Sequence, residues 1–142
     1  IFERKQIHME SRIEQTIIRH DKGYNCAQAV ACTYCDLVGM SEKDAFRATE
    51  AFGAGMGGMS ATCGAVSGAV FIAGLKNSTA NLNAPDSKGR SYKVSRDVTA
   101  AFKARNGSLI CGELKGLATG KVLRSCPDCI KDAAELVETM IL

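Results

Sequence analysis

The sequence predicts an all-α protein, a single-domain helical bundle with Gly-rich joints. Apolar residues recur at helical spacing through most of the chain, and glycines follow the ends of these segments. No run of alternating apolar and polar residues is long enough to predict a strand. With 142 residues the chain has the length of one domain with an adequate core, so we expect one helical domain over residues 1–142.

Four helices are predicted in the first half of the chain. An amphipathic segment ends at Gly23, and caps and glycines bound three further helices at residues 26–38, 41–52 and 61–75. A glycine-rich loop at residues 53–58 separates the last two of these helices.

The second half of the chain contains the longest predicted loop and three more helices. Residues 77–89 are polar and include Pro85, which predicts a loop. Helices are expected at residues 91–105, 108–115 and 126–142.

The composition excludes several classes of partner. The net charge of +3, without a cluster of Lys and Arg, argues against nucleic acid. The longest apolar stretch, residues 63–75, contains three glycines and is too short to cross a bilayer, so we expect no membrane insertion. Glu3, Arg4 and Lys5 do not fit a signal peptide, and a reducing cytoplasm is the expected location.

Cysteine placement is the strongest functional signal. Four of the seven cysteines follow a predicted helix cap by one to three residues. These pairs of cap and cysteine are Asn25 with Cys26, Ser60 with Cys63, Ser108 with Cys111, and Ser125 with Cys126. The positive end of the helix dipole favours thiolate over thiol, so the pattern predicts sulfur chemistry.

Cys63 is expected to have the lowest pKa of the seven cysteines. It follows a glycine-rich run and has no acidic residue close to it in the sequence. Cys126 is followed by Asp128 and Cys111 by Glu113, and each carboxylate is expected to raise the pKa of its neighbouring thiol.

Glycines surround Cys63 on both sides. Residues 53–58 match the dinucleotide pattern G-x-G-x-x-G, but a helix rather than a strand precedes them, which argues against a dinucleotide site. Small residues instead bring backbone amides close to an anion, a thiolate or a cluster sulfide. The glycines assigned to this candidate binding role are Gly55, Gly57, Gly58 and Gly64. Gly64 and Gly68 also predict a smooth helix face for close packing.

The remaining cysteines and the histidines have less specific interpretations. Cys32 and Cys35 lie deep in a predicted helix, where we expect small buried hydrophobic side chains. Cys129 completes a Cys-Pro-Asp-Cys segment at a helix start, which is able to act as a redox dithiol. His8 and His20 are expected to face solvent.

Several segments of the chain together resemble a known family, the redox-active proteins named for a Cys … Cys-Gly-Ala-x-x-Gly … Cys … Cys pattern. The segments are Gly23-Tyr-Asn-Cys-Ala-Gln-Ala-Val30, Phe52-Gly-Ala-Gly-Met-Gly-Gly58, Cys63-Gly-Ala-Val-Ser-Gly68, Gly107-Ser-Leu-Ile-Cys111 and Ser125-Cys126-Pro. The resemblance implies a helical redox protein whose functional cysteines are Cys26, Cys63, Cys111 and Cys126. Cys32, Cys35 and Cys129 fall outside this pattern.

Three functional hypotheses remain open from the sequence. The preferred one is thiol–disulfide exchange or electron transfer with an unidentified redox partner protein; Cys63 is the nucleophile, and Cys26, Cys111 or Cys126 resolves the disulfide. It requires no cofactor. The second is an iron–sulfur cluster or Zn²⁺ held by the same four thiolates. The third is a structural helical protein. A homodimer is a further expectation.

Overall fold

The computed structural model describes residues 9–142, and this part of the chain is helical, as the sequence predicted. Its α-helices are α1 (Ile13–Asp21), α2 (Cys26–Tyr34), α3 (Glu42–Thr49), α4 (Gly64–Asn77), α5 (Lys88–Asn106), α6 (Cys111–Lys115) and α7 (Cys126–Leu136). Short 3-10 turns follow α2 and α3, and π turns occupy Gly55–Met59 and Val137–Ile141. Between residues 9 and 142 the one β-type contact is an isolated bridge between Thr62 and Ile110.

Helices α2 and α4 form the centre of the bundle and pack against each other along a stripe of small residues. At Gly68 an added Cβ would lie 2.7 Å from the carbonyl oxygen of Ala27 and 3.1 Å from Cβ of Val30. Only glycine permits so close an approach. The smooth face that the sequence predicted for Gly64 and Gly68 is therefore the surface that brings α4 onto α2.

Some helix boundaries differ from the prediction. The long loop is shorter than expected, because α4 continues to Asn77 and α5 begins at Lys88. The predicted helix at 126–142 changes to a π turn after Leu136. Among the described residues, no helix is both long and apolar enough to span a membrane.

Two of the four predicted cysteine-preceding caps are confirmed. The Asn25 side chain accepts a hydrogen bond from the Gln28 amide, and the Ser125 side chain accepts one from the Asp128 amide. Ser60 and Ser108 do not cap their helices; Cys63 is the cap residue of α4 and Ile110 that of α6.

A short antiparallel pairing explains why the two predicted serine caps do not form. The Cys63 amide donates to the Leu109 carbonyl at 2.7 Å, and the Cys111 amide donates to the Ala61 carbonyl at 2.9 Å. These bonds hold both segments extended up to the cysteine, so each helix starts later than a serine cap would allow.

The cap at Asn25 is expected to contribute more stability than an ordinary cap. Besides accepting from Gln28, its amide nitrogen donates to the Glu50 carbonyl at 2.8 Å, which ties α2 to the end of α3. Replacing Asn25 with Ala removes both bonds and should lower the free energy of unfolding by about 2 kcal/mol. Ser41→Ala, at the exposed cap of α3, is the control and should cost about 1 kcal/mol. Urea denaturation measures both; equal losses would contradict the tie to α3.

Candidate functional site

Four cysteines begin four different helices of the bundle. Cys26, Cys111 and Cys126 are the first residues of α2, α6 and α7, and Cys63 caps α4. Helix-start placement is therefore observed for all four cysteines that the sequence singled out.

Glycines and the short antiparallel pairing bring these helix starts together. The pairing of residues 61–63 with 109–111 holds the start of α4 against the start of α6, with Cys63 opposite Leu109 and Cys111 opposite Ala61. At Gly64 an added Cβ would lie 3.3 Å from Cβ of Cys26, so the start of α4 lies directly against the start of α2. At Gly55 an added Cβ would lie 2.5 Å from Cβ of Cys111.

The thiols form two neighbouring pairs. The Cys126 thiol is the largest cause that raises the pKa of Cys26. The Cys63 thiol is likewise the largest cause that raises the pKa of Cys129, whose own thiol donates to the Arg124 carbonyl at 4.0 Å. Cys26 and Cys126 are half-buried, whereas Cys63 and Cys129 are buried. One pair is thus open to solvent and the other lies behind it.

Cys126 has the lowest cysteine pKa in the described structure. The hydrogen bond from Cys26 is the largest cause, and it outweighs burial. The ammonium group of Lys115 adds a hydrogen bond and its charge, and the pKa of Cys126 falls to about 5. Burial lowers the pKa of Lys115 itself, but Cys126 and the neighbouring thiols more than offset this and raise it. Cys126 is therefore a thiolate paired with a cation at neutral pH.

Cys63 is also acidic, for a different reason. The hydrogen bond from Cys129 is the largest cause, and the amides of Ala65 and Val66 at the start of α4 add to it against the effect of burial. Together they lower the pKa of Cys63 to about 7. The expectation that Cys63 has the lowest pKa of the seven is wrong, because the Cys26 thiol and Lys115, which lower the pKa of Cys126, reach it only through the fold.

The carboxylate expected to oppose Cys126 is engaged elsewhere. Asp128 accepts a hydrogen bond from the Ser125 hydroxyl at 2.8 Å, within the cap of α7. Glu113, expected to act on Cys111, accepts one from the Ser108 hydroxyl at 2.8 Å. Burial is the largest cause that raises the pKa of Cys111, and charges on Cys63 and Cys126 add to it.

Cys32 and Cys35 are buried at the end of α2, as expected. Burial is the main cause of their high pKa values, and it raises the pKa of Cys32 to about 12. The Cys32 thiol donates to the Glu42 carbonyl at 3.7 Å, and that of Cys35 to the Cys32 carbonyl at 3.6 Å. These two thiols are protonated and inert at neutral pH.

The four glycines proposed for binding have unlike surroundings. Gly55 and Gly64 contact the cysteine-bearing segments, as described above. Gly57 and Gly58 are exposed, and an added Cβ would meet no atom closer than 3.9 Å. Gly57 has a φ of +88°, which favours glycine. Gly58 has neither a positive φ nor a close neighbour, so its backbone does not require glycine.

The glycine loop contains a left-handed run of backbone. Ala54, Met56 and Met59 have φ values of 51°, 63° and 61°, which side-chain-bearing residues rarely adopt. Between them Gly55 has a φ of 55°. This turn carries the chain from the end of α3 to the segment that pairs with residues 109–111, and it presses Gly55 against Cys111.

His20 is half-buried with its ring nitrogens turned away from solvent, which corrects the expectation that it faces solvent. Both of its ring nitrogens are buried and have no hydrogen-bond partner among the described residues. Its charge is one of the smaller causes that lower the pKa of Cys126, so α1 contributes to the same site. His8 lies outside the described residues.

The donor arrangement does not converge on one point. Within residues 9–142 no group of three or more His, Cys, Asp or Glu side chains has the spacing to hold a metal ion. The thiols act in pairs rather than as one set of ligands.

Comparison with known proteins identifies the family of this chain. Residues 24–140 match the model of a family described as "Putative redox-active protein (C_GCAxxG_C_C)". The chain belongs to this family. Searches of curated proteins and of solved structures gave no match.

The family label places Gly before Cys in its central motif, whereas this chain has Cys63 followed by Gly64. In the structure Gly64 is the residue that lets α4 contact Cys26, so the order Cys-Gly has a direct packing role.

Sequence analysis missed two residues of the site. Lys115 looked like an ordinary basic residue near the end of a short helix. Cys129 was set apart because the C_GCAxxG_C_C pattern does not contain it. The available signal was its spacing: three residues after Cys126, it lies on the same face of α7.

Proposed function

We propose that the protein exchanges thiols and disulfides with a redox partner through the pair Cys26 and Cys126. The observation that carries this proposal is the direct contact of the two half-buried thiols, one of them ionised beside Lys115. A thiolate that is accessible and has a neighbouring thiol is the arrangement that disulfide exchange requires.

Cys126 replaces Cys63 as the proposed nucleophile. Its thiolate attacks one sulfur of the partner's disulfide, a new S–S bond forms, and the partner's other sulfur leaves as a thiolate. Cys26 then attacks the Cys126 sulfur, and its proton goes to the second departing partner thiolate. Two electrons and the Cys26 proton pass to the partner, whose first departing thiolate takes its proton from solvent, and Cys26 and Cys126 end as a disulfide.

The surroundings of the pair support this direction of attack. Lys115 stabilises the Cys126 thiolate before the reaction, while Cys26 stays protonated until Cys126 is consumed. Loss of the negative charge from Cys126 removes the main cause that keeps the Cys26 proton in place. A reducing compartment such as the cytoplasm suits this chemistry, because it returns the disulfide to two thiols.

Trapping of a mixed disulfide tests the assignment of roles. Reduced Cys26→Ser protein treated with glutathione disulfide should retain one glutathione on Cys126, because the resolving thiol is missing. The wild-type chain should release both glutathiones and form the Cys26–Cys126 disulfide. Intact mass and a non-reducing peptide digest distinguish these products.

Two further variants complete the trapping experiment. Cys126→Ser should neither retain glutathione nor form the disulfide. Cys32→Ser removes a buried thiol away from the pair and should behave as wild type. If the wild-type chain and Cys26→Ser retain glutathione to the same extent, Cys26 does not resolve the intermediate and the proposal fails.

A further inference from the structure

Cys129 lies outside the family pattern, but its pKa is influenced by two of the helix-start cysteines, Cys63 and Cys126. It is fully buried, with 0% of its surface exposed, and Cys63 beside it is 4% exposed. Cys63 caps α4 and Cys129 lies in the first turn of α7, two helices that pack against each other. Both helices start beside the same group of cysteines, and each of the two thiols is the largest influence on the pKa of the other.

We propose that Cys63 and Cys129 form a second redox pair, which is oxidised through the outer pair Cys26 and Cys126. When both pairs are oxidised, one chain contains two disulfides and has given up four electrons. This inference rests on the proposed function of the outer pair.

Burial determines the route. A partner's disulfide cannot reach cysteines that are 4% and 0% exposed as residues, so the inner pair must exchange with a thiol that does reach the surface. Cys26 is the thiol in that position: it is half-buried, and the residue after Cys63 packs against its Cβ, with an added Cβ on Gly64 only 3.3 Å away.

The transfer balances as two successive exchanges. The Cys63 thiolate attacks the Cys26 sulfur of the Cys26–Cys126 disulfide, a Cys63–Cys26 bond forms, and Cys126 leaves as a thiolate. Cys129 then gives up its proton and attacks the Cys63 sulfur, and Cys26 leaves and takes that proton. The inner pair is now a disulfide, and the outer pair is reduced and able to react with a second partner disulfide.

The acidity of Cys126 favours the first exchange. A thiol of lower pKa leaves a disulfide faster, and Cys126 has the lowest pKa among these cysteines. Attack at the Cys26 sulfur therefore expels the better leaving group, next to the cation of Lys115.

Counting thiols after oxidation tests the inner pair. Reduced protein is treated with excess glutathione disulfide, the remaining thiols are alkylated, and a non-reducing digest maps the disulfides. Wild-type protein should lose four of its seven thiols, as Cys26–Cys126 and Cys63–Cys129. Cys129→Ala should lose two, as Cys26–Cys126 alone, with an unchanged helical circular dichroism spectrum. Cys63→Ser is a second variant with the same expected result.

Two more variants test the route. In Cys126→Ser the inner pair should oxidise at least about tenfold more slowly than in wild type, because the thiolate that captures external disulfides is gone. Cys32→Ser, a buried thiol on α2 outside the two pairs, is the matched control and should still lose both pairs.

The outcomes separate this inference from the function it rests on. If the wild-type chain forms only the Cys26–Cys126 disulfide, the proposal of a second redox pair is wrong and the proposed function of the outer pair is unaffected. Oxidation of Cys63 and Cys129 in Cys126→Ser at the wild-type rate overturns the route. If no variant forms Cys26–Cys126, the proposed function fails as well.

Discussion

Iodoacetamide at pH 6 is expected to modify Cys126 before any other cysteine. With a pKa of about 5, Cys126 is largely ionised at this pH and is half-buried, whereas Cys63, the next most acidic thiol, is buried. Relative to an ordinary thiol of pKa about 8.5, the thiolate fraction is roughly 300-fold higher. Because a thiolate of low pKa is less nucleophilic, the rate of alkylation rises less than the thiolate fraction, and we expect a rate advantage of about tenfold.

Lys115 gives this result a matched control. Lys115→Met removes the cation but keeps most of the side-chain volume, and should shift the pH midpoint of Cys126 alkylation upward by about 1–2 units. Lys121→Met removes an exposed cation from the segment before α7 and should leave the midpoint unchanged. Peptide mapping measures the rates across pH. Modification of Cys63 ahead of Cys126, or equal midpoints in the two variants, would show that Lys115 does not control the site.

Among the glycines of α4, Gly68 is the one whose replacement by Ala is expected to lower the stability of the protein most. The new Cβ would lie 2.7 Å from the Ala27 carbonyl oxygen, a backbone atom that cannot rotate away, so α2 and α4 must separate. The overpacking should exceed the gain in helix propensity and lower the free energy of unfolding by about 1–2 kcal/mol.

Gly74, in the same helix, is the control for Gly68. An added Cβ at Gly74 meets no atom within 4 Å, so Gly74→Ala should raise the free energy of unfolding by up to about 1 kcal/mol. Urea denaturation followed by circular dichroism gives both values. Changes of the same sign in the two variants would mean that the α2–α4 contact does not depend on glycine at position 68.

The features that could be predicted from the sequence are those set by neighbouring residues in the chain. Helices, the caps at Asn25 and Ser125, and the burial of Cys32 and Cys35 follow from local periodicity and side-chain chemistry. The wrong caps, Ser60 and Ser108, lie where pairing between distant segments overrides the local preference.

The pairing of thiols could not be predicted, because tertiary contacts decide it. Cys26 and Cys126 are a hundred residues apart, and no local pattern indicates that α2 and α7 start at the same place. The predicted order of the cysteine pKa values is wrong for the same reason. Lys115 approaches Cys126 through the fold, while Asp128, which is close to Cys126 in the sequence, accepts a hydrogen bond from Ser125.

The use of a cysteine as the cap of α4 links the redox state of the protein to its folding. The amides of Ala65 and Val66 help to lower the pKa of Cys63, so they stabilise its thiolate, and a disulfide sulfur carries no charge for them to stabilise. Oxidation at Cys63 therefore removes a favourable charge from the first turn of α4. By thermodynamic linkage, the interaction of these amides with the thiolate favours the reduced state, and it makes a disulfide at Cys63 a stronger oxidant than one between exposed, unstructured thiols.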